Sequence, residues 1–181
     1  MKKFTALLAF LFCLAMAVPA LAEPFGARMG DSPDRFPEAA GKSGRTFFLS
    51  TAPEPQPDFQ QYIVTFEGQD GLSAISGVKE FPDGEGGVLN FFNKVNGQLI
   101  QEYGPPLRYL DAGWLTWIDS AKPDDKAMKA QLHKFRDYGF GALWLLKDRD
   151  DGLDAVQVTV ASKSEMACTF YVTYFFKNYK D

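Results

Sequence analysis

Residues 86–106, GGVLNFFNKVNGQLIQEYGPP, decide how the rest of the chain is arranged. Val88, Phe92, Val95, Leu99 and Tyr103 recur at four, three, four and four residues, which lines them along one face of a 3.6-residue period and turns Asn93, Lys94 and Asn96 away. Gly104 tolerates a left-handed C-cap, and Pro105 with Pro106 forbids further helix. The spacing predicts a helix with a hard stop, standing between two strand-rich segments.

Upstream, residues 60–66 alternate Tyr62, Val64 and Phe66 with Ile63 and Thr65, the period of a strand. Asp70-Gly71 is a turn pair, and Leu72, Ala74, Ile75 and Val78 return as the hairpin partner, with Gly77 expected as a bulge. An earlier strand is expected over residues 44–50, through Phe47, Phe48 and Leu49. The connection TAPEPQPDF, residues 51–59, contains three prolines and cannot supply a continuous ladder of amide donors, so it reads as an exposed link or an edge. Before it, Ser32 caps a short helix beginning at Pro33, with Asp34 in its first turn and Gly41 at its end. Phe36 and Ala40 are expected to share its inner side, with Phe25 and Met29 folded over it.

Downstream, residues 107–119 have strand composition around Tyr109, Trp114 and Trp117. Residues 120–137 read as a helix, with Pro123 and two acids in its first turn and Met128, Leu132 and Phe135 as its buried stripe. Another strand opens at Phe140. Trp144 then precedes Asp151-Gly152-Leu153 and Ala155-Val156, as Tyr62 precedes Asp70-Gly71-Leu72 and Ala74-Ile75. This parallel predicts two copies of a helix, strand and hairpin unit, the first over residues 23–84 and the second over residues 85–181, packed as one compact body. In the last strand Cys168, Phe170, Val172 and Tyr174 occupy one face and Thr169, Tyr171 and Thr173 the other. That second face is either a ligand or partner surface or a side covered by a helix.

The first 22 residues stand apart. Lys2 and Lys3 precede an apolar run, and Ala20-Leu21-Ala22 closes it with small residues at the positions a signal peptidase reads, so an export signal cleaved after Ala22 is expected. The run is short of the ~20 residues a spanning helix needs, and no stable membrane insertion is expected. Losing Lys2 and Lys3 leaves 17 basic against 23 acidic residues. A chain so acidic is a poor partner for nucleic acid or an anionic membrane. Cys168 is then the single cysteine, so no internal disulfide is available, and with no Asn-x-Ser/Thr acceptor the chain suits a bacterial periplasm or medium.

No residue pattern names a reaction. His133 is the lone histidine, set beside Lys129 and Arg136 on a polar helix face, and no G-x-S-x-G elbow accompanies it. Cys168 reads as a buried small hydrophobe. Gly41-Lys42-Ser43 lacks the earlier glycine of a phosphate loop, since Phe36 stands there. Residues 83–87, DGEGG, could offer amides to an anion, but a plain loop is the simpler reading. Asp148, Asp150, Asp151 and Asp154 miss the calcium-hand spacing, because Gly152 is fifth rather than sixth and the closing glutamate is absent. Neither catalytic residues, a metal site nor a cofactor is expected.

The segments F-G-x-R-M-G-x-S-P-D, L-I-Q-E-Y-G-P-P and the strands around Trp114, Trp117 and Trp144 resemble those of small exported bacterial proteins. These are similar to outer-membrane assembly lipoproteins of the BamE/SmpA kind and to tandem-repeat beta-lactamase inhibitor proteins. The likeness covers residues 25–179, without the inhibitors' disulfides or the lipoproteins' lipid-bearing cysteine. It implies an α+β fold, an antiparallel sheet of six or seven strands with short helices on one face and the other face open. A sheet of that form suits a non-catalytic, inhibitor-like module that binds an exported or envelope protein. Phe59, Tyr109, Trp114, Trp117 and Tyr171 are its candidate contacts. The alternative is a small-molecule or lipid binder with an apolar pocket near Phe91, Trp117 and Phe170. A hydrolase is the third reading.

Overall fold

The computed structural model describes residues 23–82, 87–110, 140–162 and 167–180. The expected signal segment, Trp114, Trp117, His133, the helix at 120–137 and most of the 83–87 loop lie outside them.

One antiparallel sheet of seven strands carries the chain. Its strands are β1 (Thr46–Leu49), β2 (Gln61–Phe66), β3 (Leu72–Phe81), β4 (Arg108–Leu110), β5 (Phe140–Leu145), β6 (Leu153–Ser162) and β7 (Cys168–Phe176). Their spatial order is β1-β2-β3-β7-β6-β5-β4. Two meanders, β1-β2-β3 and β4-β5-β6-β7, therefore join where β3 pairs with β7, through the register Phe81↔Cys168 to Ala74↔Phe175. Among the described residues one α-helix, α1 (Val88–Tyr103), connects the two meanders. The architecture is α+β.

The helix follows its sequence pattern. It buries Val88, Phe91, Phe92, Val95 and Leu99, each such side chain contributing roughly 1.5–3 kcal/mol on leaving water. Phe91 extends the stripe on the sheet side, where its ring meets Phe170 edge-on at 4.8 Å. Gly104 ends the helix at φ 79°, its amide bonded to the Ile100 carbonyl. The cap carbonyl of Gly104 accepts the Trp144 indole N–H at 2.9 Å, which pins the helix end to β5.

The two sheet faces differ in kind. Cross-strand partners share a face, so the helix side holds Leu49, Tyr62, Val64, Ile75, Val172, Val158, Ala142 and Trp144, all buried. The proline-rich link is stitched down on this side. The Tyr62 hydroxyl accepts the Gln56 amide at 2.8 Å and donates to the Gln56 carbonyl at 3.2 Å, while the Glu54 amide bonds the Phe25 carbonyl at 2.9 Å.

Four local expectations need correction. Gly77 is no bulge. It holds continuous register between Tyr62 and Val172, and the shift falls at Thr65/Phe66. Its missing side chain instead makes room for the rings of Phe25 and Phe59, which a Cβ would meet at 2.7 and 2.9 Å. The Ser32-capped helix is only a 3-10 turn, Pro33–Arg35, with the Ser32 hydroxyl accepting the Asp34 amide. After that turn the chain presents Phe36 and Ala39 inward rather than Phe36 and Ala40, because the backbone leaves the 3.6-residue period. Phe25 packs against Phe59, Tyr62 and Tyr174 on the sheet rather than over that turn. Met29 is 45% exposed.

Both Asp-Gly-Leu turns place glycine at positive φ, 72° at Gly71 and 87° at Gly152, and both bury the leucine completely. At the second turn Asp151 is consumed locally. Its carboxylate pairs with Arg149 at 2.6 Å and accepts the Leu153 amide at 3.2 Å, which turns an apparent cation ligand into a turn lock.

Candidate functional site

The sheet face turned from the helix carries polar and apolar groups in cross-strand rows. One row runs Phe48, Ile63, Ser76, Thr173, Gln157 and Leu143, and the next Thr65, Ala74, Phe175, Ala155 and Leu145. A third holds Gln61, Val78, Tyr171 and Thr159. Ser76 and Thr173 hydroxyls bond at 2.8 Å across β3 and β7. Phe48 is 71% exposed and Leu145 46%, while Tyr171 is half-buried. At the β1 edge, Phe48 borders an open depression of about 300 Å³ shared with Glu38, Ser50 and Gln61. Glu38 is committed there. Its carboxylate accepts the Ser50 hydroxyl and amide at 2.6 and 2.8 Å, which lowers its pKa.

A second concavity lies on the helix side. A cleft of about 250 Å³ opens between α1, β7 and the end of the proline-rich link. Val95, Leu99, Val172 and Phe59 supply its apolar lining, and Gln56, Asp58, Gln98, Glu102 and Tyr174 its polar groups. Lys94 reaches Asp58 at 2.6 Å beside it. Glu102 sits in the last turn of α1, where unsatisfied carbonyls already carry partial negative charge, and no basic residue occupies that turn. Burial first, and then the Glu102 charge, push the Tyr174 phenol well above its ordinary range. Tyr103 is displaced in the same direction, again chiefly by burial and then by Glu102. Both phenols therefore stay protonated, as donors, at any physiological pH.

Among the described residues the expected contacts do not converge. Phe59 is half-buried, edge-on to Phe25 at 5.3 Å and Phe91 at 5.9 Å, and lines the cleft. Tyr109 is 38% exposed on the helix side, its hydroxyl accepting Asn96 Nδ2 at 3.3 Å. Tyr171 stands on the opposite face, between Val78 and Thr159. Trp114 and Trp117 are outside the described residues. Phe48 and Leu145 escaped the sequence reading, since only the sheet's pairing shows which aromatic or aliphatic side chain of a strand faces away from the helix. Glu102 had a readable signal, an acid at the wrong end of a helix dipole.

Cys168 is 2% exposed, and burial raises its thiol pKa, which disfavours the reactive thiolate. Among the described residues no three metal-ligating side chains converge, and no helix is long and apolar enough to cross a membrane. No family model, curated protein or solved structure matches the chain.

Proposed function

We propose that this chain is a non-catalytic, inhibitor-like binding module that engages an exported or envelope protein through the sheet face turned from α1. In this reading residues 1–22 are an export signal removed after Ala22, and the mature protein acts in the periplasm or medium. Two helix-strand-hairpin units, residues 23–84 and 85–181, fuse their strands into one sheet and leave their short helices on one side. Matching glycine-centred turns at Gly71 and Gly152 support that reading.

The observation that carries the binding proposal is the exposure of Phe48 and Leu145 on a face whose middle holds the half-buried Gln157, Tyr171 and Thr173. Large apolar groups flanking half-buried polar and aromatic side chains provide anchors for a partner, the arrangement that concentrates binding energy in a few contacts. Affinity capture by the tagged full chain in its own host tests this, with bound species identified by mass spectrometry. A stoichiometric protein should be lost with Phe48→Ser and Tyr171→Ala and retained with Tyr109→Ala, which alters the helix side. Retention in the first two variants and loss in the third would place the contact elsewhere and refute the assignment.

A further inference from the structure

The cleft between α1, β7 and the proline-rich link serves no part of the binding face just described, since it lies on the other side of the sheet. Its chemistry is one-sided. Among the described lining residues there are two carboxylates, Asp58 and Glu102, and no lysine, arginine or histidine. Lys94 is engaged with Asp58, so one acid is already answered. Glu102 makes no ion pair among the described residues, and it stands in the last turn of α1 without a basic neighbour in that turn. An acid at that end opposes the helix dipole and weakens the helix. Beside the Tyr103 hydroxyl it holds a local hydrogen-bonding contact, and it also brings negative charge to the concave space.

The remaining lining completes a recognition set. Phe59 and Tyr174 put two aromatic rings on the cleft, whose electron-rich faces attract a cation. The rings are held in place, since both meet Phe25 edge-on at 5.3 and 5.7 Å. Val95, Leu99 and Val172 line the floor of the cleft but are themselves buried, so the half-buried Phe59 ring is the apolar surface left to a carbon body. Gln56 and Gln98 add carbonyl acceptors for ammonium hydrogens. At about 250 Å³ the cleft admits a small ligand and no more.

We propose that this cleft binds a small organic ammonium ion, its charged nitrogen at Glu102 and its apolar body against Phe59. The same chemistry is available from a free amine or from a lysine side chain of another protein. Acidic ligands are repelled by the same charge, and neutral ones gain no ionic attraction from it.

Calorimetric titration of the full chain with benzylamine, Nα-acetyl-lysine methylamide, benzyl alcohol and benzoate tests the site. Saturable one-site binding of either amine is expected, with benzyl alcohol and benzoate weaker by tenfold or more. Tighter binding of benzylamine identifies a free amine as the ligand, and tighter binding of the lysine amide a protein side chain. Glu102→Gln, at an exposed position that leaves the fold intact, should weaken the preferred amine about tenfold or more. Phe59→Leu should weaken it less while preserving selectivity over benzoate. No saturable amine binding, equal binding of benzoate, or an unchanged affinity in Glu102→Gln would overturn the proposal.

Discussion

The two Asp-Gly-Leu turns look alike in sequence yet should respond very differently to the same substitution. Gly71 lies at φ 72°, ψ −152°, a region reserved for glycine. The N-terminal segment also docks on it backbone to backbone, with the Gly30 amide on the Leu72 carbonyl and the Leu72 amide on the Asp31 carbonyl, both at 2.9 Å. A Cβ at Gly71 would come within 2.5 Å of the Gly30 carbonyl carbon and 2.8 Å of its Cα, and backbone atoms held by those bonds cannot step aside. Conformational strain of about 1–3 kcal/mol and overpacking of about 1–3 kcal/mol together give Gly71→Ala a cost near 4 kcal/mol. For a chain of this size that is a fall of ~8–16 °C in Tm. Gly152 is also left-handed, but a Cβ there would meet only the Met29 side chain, at 3.7–3.8 Å, an ordinary contact. Gly152→Ala should therefore cost only the left-handed backbone penalty of about 1–2 kcal/mol. Urea unfolding of the two variants beside the parent, followed by tryptophan fluorescence, measures the difference. Losses equal within ~0.5 kcal/mol, or a larger loss at Gly152, would refute the reasoning from the Gly30 contact.

Further outcomes follow from the same contacts. Trp144→Phe removes the indole donor to Gly104 from a side chain that is 2% exposed, and should cost about 1–3 kcal/mol in denaturant unfolding, with the C-terminal turn of α1 exchanging its amides faster. Tyr62→Phe leaves the Gln56 amide without its hydroxyl partner and should cost about 1–2 kcal/mol, loosening residues 54–59, as hydrogen exchange would report. Tyr174 keeps its proton in the folded state above the ordinary value of 10.0, so its contribution to stability is fully present below that pH and is lost as pH rises beyond it. Tyr174→Phe should accordingly flatten the alkaline fall in Tm above pH 10.0. The Cys168 thiol should react with a chromogenic disulfide reagent far more slowly in the native protein than in urea, since burial both shields it and holds it protonated.

How much was legible in the sequence depended on the range of the interactions involved. Helix α1 was readable from end to end, because a 3.6-residue stripe, a glycine cap and two prolines act within a few residues of one another. The hairpin turns were equally plain, since a positive-φ glycine after an acid is a local demand of the backbone. Gly77 was misread for the complementary reason. A glycine in a strand signals either a bulge or a close approach, and only the meeting of Phe25 and Phe59 over β3 selected the second. Ala40 gave way to Ala39 because a three-residue turn does not keep helical phase.

The sequence by itself determined helix α1 and the seven strands of the described residues, their α+β mixture and the acidic balance of the chain. The tertiary structure alone decided that β3 pairs with β7, and hence which side chains share a face. That pairing joins residues 87 or more positions apart in the chain, and strand alternation offers two faces without saying which the helix will cover. It put Phe48 and Tyr171 on one side and Phe59 and Tyr109 on the other. It also brought Glu102, Asp58 and Tyr174 around one cleft. Local spacing cannot encode that convergence, because each of the three belongs to a different element and meets the others only once the sheet has closed.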